Sequence, residues 1–189
     1  MGGCPLASPA IDILVVCTGN ICRSPVGAVL LAARLEELGV SAHVHSAGFA
    51  SPGRPVPDHG LAVMAARGFD TSSHRSRRLS AELARPADLI VAMAGEHVAE
   101  IHDLHPDLWA RTFTLKELVR RGEQLGPRRA GEDLGGYVAR LHAGRSFPGT
   151  NGWSDDVDDP YGGPRSVYEH AAAEIDDLTN RLARLLAGS

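Results

Sequence analysis

The sequence predicts an α/β fold, one domain built on a parallel sheet with helices on both faces. Three observations carry that prediction. The runs at residues 11–16 and 88–93 are short, continuous and apolar, as strands buried on both faces are. Segments with helical apolar spacing separate the strand runs, and such alternation builds βαβ units. The chain has 189 residues, 43% hydrophobic and 22% charged, which suffices for a sizeable core without disulfides or metals.

The elements follow in order. Residues 11–16 give the first strand, broken only by Asp12, and run into Cys17-Thr18-Gly19-Asn20-Ile21-Cys22-Arg23-Ser24-Pro25. Residues 26–38 carry apolar side chains at Val26, Val29, Leu30, Ala33 and Leu38, the spacing of a helix. Ser24 is its expected cap, Pro25 its first residue and Gly39 its end. Residues 40–46 predict a second strand, 57–68 a helix stopped by Gly68, and 79–83 a short helix. Residues 88–93 predict a third strand, 96–104 a helix, and 111–115 a fourth strand. Residues 120–155 change character, with paired arginines, several glycines and Phe147-Pro148-Gly149. They predict an insertion or lid-like excursion with a helix at 132–141. A last helix is signalled by Ser166 and Glu169 as a capping box and by Val167, Ala171, Ile175, Leu178, Leu182 and Leu185 on one face. Residues 1–10 read as a loose tail, and residues 1–189 as a single domain.

Composition excludes several classes of function. The net charge of −4 at pH 7 argues against nucleic acid as a partner. No apolar run approaches a membrane span. The N-terminus lacks the regions of a signal peptide, and Leu6 stands where N-myristoylation needs Ser or Thr. With 3 cysteines, the expectation is a reducing, cytoplasmic setting. Lys116 is the lone lysine, which rules out the Gly-Lys-Ser/Thr loop of nucleotide hydrolases.

The loop after the first strand carries chemistry. Cys17 and Arg23 stand in a Cys-x5-Arg spacing between a buried strand and a helix, where an anion cradle forms. Amides of such a loop can converge on one phosphate as a nest, and the helix adds its positive end. Arg23 can hold two phosphate oxygens. The same field favours a thiolate, making Cys17 a nucleophile, and Ser24 can hydrogen-bond that sulfur. Gly19 and Asn20 suit the left-handed backbone that a tight cradle requires.

Residues 16–25 resemble the signature loop of the low-molecular-weight protein tyrosine phosphatases. Asp159-Pro160-Tyr161 resembles that family's general-acid motif, and Ser46-Ala47-Gly48 its stretch after the second strand. The resemblance implies a four-stranded parallel sheet and phosphate-monoester hydrolysis without metal or other cofactor. It implies Cys17 as the attacking group, Arg23 as stabiliser of the phosphoryl oxygens and Asp159 as general acid, then base. Thr18, Gly19, Asn20, Ile21, Cys22 and Ser24 would bind the phosphoryl group, with Asn20, Ser46 and His74 bracing the loop. The implied substrate is a phosphorylated protein, and the products include inorganic phosphate. A residue-level argument agrees about the acid: a tyrosine oxygen leaves readily only when protonated. Among Asp155, Asp156, Asp158 and Asp159, the last is held by a following proline and a glycine pair, while the others are expected to face solvent.

The chain departs from the family pattern at Ala94, where Asp often follows the methionine ending the third strand. Residues 46–52, 113–117 and 159–163 resemble the branch that dephosphorylates protein arginine. In that branch Thr typically stands where this chain has Ile21. A hydroxyl there leaves polar room for a guanidinium, whereas Ile packs on a phenyl ring. Protein-arginine phosphatase is therefore the first alternative to protein-tyrosine phosphatase. A thiol-dependent arsenate reductase is the second, although only Cys4 remains for a disulfide relay. A non-catalytic phosphate-binding module is the third. Cys22 could resolve an oxidised Cys17 or be plain packing. His97, His102 and His105 read as surface histidines, and Arg75, Arg77 and Arg78 as a solvated face. Phe49 and Tyr161 could wall the pocket or merely pack.

Overall fold

A computed structural model describes residues 10–146 and 155–188. Apart from Ala10, the expected tail lies outside the described residues, as does Phe147-Pro148-Gly149. Strands β1 (Ile11–Cys17), β2 (Ala42–Gly48), β3 (Leu89–Ala92) and β4 (Thr112–Thr114) form a four-stranded parallel sheet in the order β2-β1-β3-β4. The helices are α1 (Arg23–Glu37), α2 (Asp58–Ala65), α3 (Ala81–Ala84), α4 (Gly95–Leu104), α5 (Leu115–Leu125), α6 (Leu134–His142) and α7 (Arg165–Ala187), with a 3-10 turn at Pro106–Arg111.

Strand β1 shows why the sheet needs cover on both faces. Ile13, Val15 and Cys17 join the larger core with Leu30, Ile175 and Leu182. Leu14 and Val16 alternate with them and join a second core with Ile90, Ile101 and Leu108. A strand apolar at both phases of the pleat cannot tolerate solvent on either side. β1 also lies between β2 and β3, so the strand order reverses there. The loops leaving the carboxyl ends of β1 and β3 then flank one crevice, the usual binding position in open α/β sheets.

Several local expectations need correction. Helix α1 begins at Arg23, with Cys22 as a cap that makes no side-chain cap bond. Ser24 is inside the first turn because its hydroxyl is committed to Cys17, 3.0 Å away. The final helix is entered from Pro164, whose carbonyl accepts from Val167 N. Ser166 therefore caps nothing, and Glu169 instead pairs with Arg165 at 2.8 Å. Residues 115–125 form helix α5, which the sequence reading did not assign. Thr114 caps it by accepting from Glu117 N at 3.1 Å.

From the described residues 120–146, Leu134, Tyr137, Val138 and Leu141 join the larger core. Arg145 then fastens the end of this stretch. Its guanidinium lies 3.7 Å from the Trp109 ring centre and 4.1 Å from that of Phe113. It also donates to both carboxylate oxygens of Glu117 at 2.7 Å. Burial lowers its affinity for the proton, and the Glu117 carboxylate opposes that.

Gly48 ties the sheet to the loop after β1. A Cβ there would stand 2.6 Å from the Cys17 carbonyl oxygen, 2.8 Å from Asn20 N and 2.8 Å from the Thr18 carbonyl oxygen. All three are backbone atoms and cannot rotate away. Gly48→Ala should therefore destabilise the fold by about 1–3 kcal/mol, the range for overpacking. Gly135, whose nearest neighbour to an added Cβ is 3.7 Å away, lies inside a helix. Gly135→Ala should stabilise by about 0.5–1 kcal/mol. Urea unfolding of both variants measures this; equal effects would show that the close approach at Gly48 carries no weight.

Candidate active site

Cys17 ends β1 with its side chain buried, and the chain then turns sharply into α1. The turn is made at Asn20, with φ of +49°. Gly19 does not share the left-handed conformation expected of it. Asn is among the few residues that tolerate this region, and here the side chain fixes it there. Asn20 Nδ2 donates to Ser24 Oγ at 2.9 Å and Ser46 Oγ at 2.8 Å. Its Oδ1 accepts from Arg77 N at 2.8 Å, and its carbonyl from His74 Nε2 at 2.7 Å. Burial holds His74 below the usual histidine range, and Arg77 and Arg75 add to the effect. Ser46 and His74 thus stand where they were expected, against the loop. Arg77 is not simply a solvated residue: its guanidinium also donates to the Ser46 carbonyl.

Two groups face the Cys17 sulfur. The Asn20 N–H donates to it at 3.3 Å, and Ser24 Oγ lies 3.0 Å away. The Ser24 oxygen accepts from Asn20, and its own hydrogen has the sulfur at 3.0 Å and the Ala47 carbonyl at 3.5 Å as acceptors, the sulfur being the nearer. Cys22 behaves differently. Its buried thiol donates weakly to Tyr168 Oη at 3.7 Å. Burial, with the nearby Asp159 and Cys17 adding to it, pushes it up to about 11. Cys22 is therefore a packed thiol in the resting site.

Arg23 is the positive centre. Nη1 donates to the Val157 carbonyl at 3.0 Å. Nη2 donates to Thr18 Oγ1 at 3.2 Å and Asp159 Oδ2 at 2.7 Å. Its buried Nε has no hydrogen-bond partner among the described residues, which leaves a donor in reserve for an anion. Only Asp159 of its acidic run reaches Arg23. Asp155 pairs with Arg120 at 2.7 Å, and Asp156 accepts from Gly95 N at 2.7 Å. Those two do not face solvent freely, as had been expected. Asp156 puts a carboxylate at the N-terminus of α4, where the cap residue Ala94 makes no side-chain cap bond. With Val157 N bonded to the Met93 carbonyl at 2.8 Å, it pins the segment that carries Asp159.

Cys17, Ile21, Arg23, Arg54, Asp159 and Tyr161 line a cavity of about 160 Å³. Tyr161 is an exposed wall of it, held by Arg54 donating to its hydroxyl at 3.0 Å. Phe49 instead stacks on the His97 ring, with centroids 5.8 Å apart. The surface reading fails for His97, which is 1% exposed, whereas His102 and His105 are half-exposed. His97 reaches the site through Thr18 Oγ1, 2.9 Å from its Nε2. Nothing local marks it in the sequence, because the contact spans 79 residues.

A separate trio, Asp12, His43 and His45, gathers at the start of β1. The ring nitrogens lie 2.8 and 2.9 Å from the two Asp12 oxygens. Arg77 Nη2 faces His45 Nδ1 at 3.1 Å. A guanidinium can only donate, so Nδ1 is the acceptor and the His45 proton sits on Nε2, facing Asp12. A metal would need that nitrogen unprotonated, so the trio reads as a hydrogen-bonded group.

Comparison with known proteins gives a consistent picture. Residues 12–126 match the model of the family described as low molecular weight phosphotyrosine protein phosphatase. The Escherichia coli (strain K12) low molecular weight protein-tyrosine-phosphatase Etp is 40% identical over 128 residues, covering 67% of this chain and 84% of that protein. A protein-arginine-phosphatase of Bacillus subtilis (strain 168) is 31% identical over 177 residues, covering 93% and 97%. The crystal structure of a low molecular weight protein tyrosine phosphatase from T. tengcongensis aligns with a TM-score of 0.71 at 31% identity, over 92% of this chain and 97% of that one.

The buried His97 gives the fold a pH dependence. Burial, helped by the Arg23 charge, pushes its folded-state value from 6.5 down to about 3. Below about pH 6.5 the unfolded chain takes up a proton that the folded chain refuses. Stability from this group is therefore complete above pH 6.5 and is lost as pH falls toward 3. Between pH 7 and pH 5 the loss should be about 2 kcal/mol. Urea unfolding at both pH values should show that drop in the wild type and a smaller one in His97→Gln. Equal drops would remove His97 as the cause.

Proposed function

The chain belongs to the low molecular weight phosphotyrosine protein phosphatase family, and from that premise we propose that it hydrolyses protein phosphotyrosine through a cysteinyl-phosphate on Cys17. Incoming phosphate competes with Asp159 for Arg23. The phosphoryl oxygens take Nε and Nη2 of that guanidinium and the loop amides from Thr18 to Ser24. Released from Arg23, the Asp159 carboxylate takes up the proton that Cys17 gives up on becoming a thiolate, and passes it to the leaving oxygen. Cys17 attacks phosphorus, and Ser24 steadies the sulfur when it later departs. Asp159 then takes a proton from the attacking water, and inorganic phosphate leaves. Arg23 supplies the positive charge that a metal would otherwise bring.

The observation that carries the tyrosine assignment is Ile21, 4% exposed and part of the cavity wall. Its β-branched side chain is stiff and presents an apolar surface to a ring. Arg54 and Tyr161 complete that wall. The Arg54 charge at the rim repels a guanidinium and so favours phosphotyrosine, whereas the Tyr161 ring can stack on either group. The protein-arginine reading draws its support from the relative matched over 97% of its length, and it ranks second. Among the described residues no helix is long and apolar enough to cross a membrane.

Asp159→Asn should slow a phosphotyrosine peptide by roughly 10²- to 10⁴-fold, and an ester with a very acidic phenol far less. A larger loss in Asp158→Asn would move the acid role to Asp158. For substrate choice, a guanidinium buried against Ile21 leaves N–H donors unpaired, costing about 1–3 kcal/mol. The wild type should therefore favour phosphotyrosine over phosphoarginine by roughly ten- to a hundredfold in kcat/KM for matched peptides. Ile21→Thr should move the ratio toward phosphoarginine. A wild type that already prefers phosphoarginine would promote the second reading.

A further inference from the structure

The His97 ring is an expensive object to place beside a phosphate loop. It is 1% exposed, and its Nδ1 is buried without a hydrogen-bond partner among the described residues. Phe49 stacked at an interplanar angle of 15° keeps the ring flat. The ring's one close polar contact is Thr18 Oγ1, 2.9 Å from Nε2. Thr18 follows the nucleophile directly and lines the cavity.

The protons on this pair can be assigned by elimination. Arg23 Nη2, 3.2 Å from Thr18 Oγ1, can only donate, so one lone pair of the hydroxyl is taken. The ring has two neutral forms. With hydrogen on Nδ1, a donor is buried with no acceptor, and the Thr18 hydrogen is spent on Nε2. With hydrogen on Nε2, the orphan is a lone pair, and Nε2–H meets the hydroxyl and also faces Glu96 Oε1 at 3.5 Å. Buried orphan donors are rarer than under-satisfied acceptors, so the second form is preferred. The Thr18 oxygen then accepts twice, and its own hydrogen is left for the cavity.

We infer that His97 is a positioning residue acting through Thr18: by filling a lone pair of that hydroxyl, it turns the hydroxyl hydrogen toward a phosphoryl oxygen bound in the loop. This rests on the function proposed above, since it needs a phosphoryl group seated over Cys17. Thr18 becomes a side-chain donor to the phosphate, in addition to the loop amides and Arg23. The aromatic stack and the buried ring hold that direction before substrate arrives.

The test uses the full chain and inorganic phosphate as the probe. Ki for phosphate, kcat and KM for an aryl phosphate are measured for wild type, Thr18→Val, Thr18→Ser, His97→Phe and His97→Gln. Phe keeps the stack and loses the donor; Gln places an amide N–H near the Nε2 position. Thr18→Val and His97→Phe should each raise the phosphate Ki by roughly ten- to a hundredfold, and together by no more than either alone. Thr18→Ser and His97→Gln should recover most of it. Nitrogen-15 NMR of the wild type should show His97 protonated at Nε2, and this arm decides if His97→Phe fails to fold. An Nδ1–H tautomer, or a phosphate Ki indifferent to Thr18→Val, would overturn the inference while leaving a working phosphatase. Additive losses from the two positions would also overturn it. A wild type that neither binds phosphate nor turns over would overturn the proposed function, and this inference with it.

Discussion

The site depends on one buried amide. Asn20 sits in a backbone conformation that most residues avoid, with φ of +49°, and every polar group of its side chain is used. Its bonds reach Ser24 on α1, Ser46 on β2 and the backbone of Arg77, so one side chain ties three separate stretches of chain to the loop. A single such bond is worth about 0.5–1.5 kcal/mol net. Leaving any of these buried partners unpaired costs more than that, so the network is hard to dissolve one bond at a time. The consequence is a cradle formed before its ligand arrives. The loop amides need not be ordered at the moment of binding, and Cys17 faces its two hydrogen-bonding neighbours in the resting protein.

Charge is arranged around that frame in a way that anticipates phosphate. Arg23 is held by the Val157 carbonyl and paired with Asp159, so a buried guanidinium is compensated while the site is empty. The Asp159 segment is itself anchored, through Asp156 on the N-terminus of α4 and Val157 on the carbonyl of Met93, just past β3. In the mechanism proposed above, an incoming dianion takes over Arg23 and releases the Asp159 carboxylate, so binding and proton transfer are linked through one ion pair. The side chain of Asp159 is 44% exposed, so water screens the pair and the exchange is not opposed by a deeply buried contact.

Much of this was legible in the sequence because the essential elements are local. The strand-loop-helix passage, the Cys17 and Arg23 spacing and the apolar phases of β1 all lie within a few dozen residues. The misread elements fall into two groups. Helix α5 carries a plain cap signal in Thr114 and Glu117, but the arginines and glycines that follow have the composition of an excursion. Ser24 and Ser166 look like caps, but Ser24 is drawn to the thiol and Pro164 already sets the entry to α7. The second group could not have been read. His97, Asp156 and Arg145 act on partners 79, 61 and 28 residues away, and no period or motif announces such contacts. For His97 the helix spacing hints at burial, with Ile101 four residues on along the same face, but not at the partner.

The proposed chemistry needs the Cys17 sulfur to take the phosphoryl group. The direct measurement is capture of that intermediate: mix the protein with a phosphotyrosine peptide, quench in acid within the turnover time, digest, and locate the phosphate by mass spectrometry. The account predicts phosphate on the Cys17 peptide, in greater amount in Asp159→Asn if breakdown of the intermediate becomes limiting there, and no turnover in Cys17→Ala. Phosphate found on another residue, or turnover that survives Cys17→Ala, would contradict it.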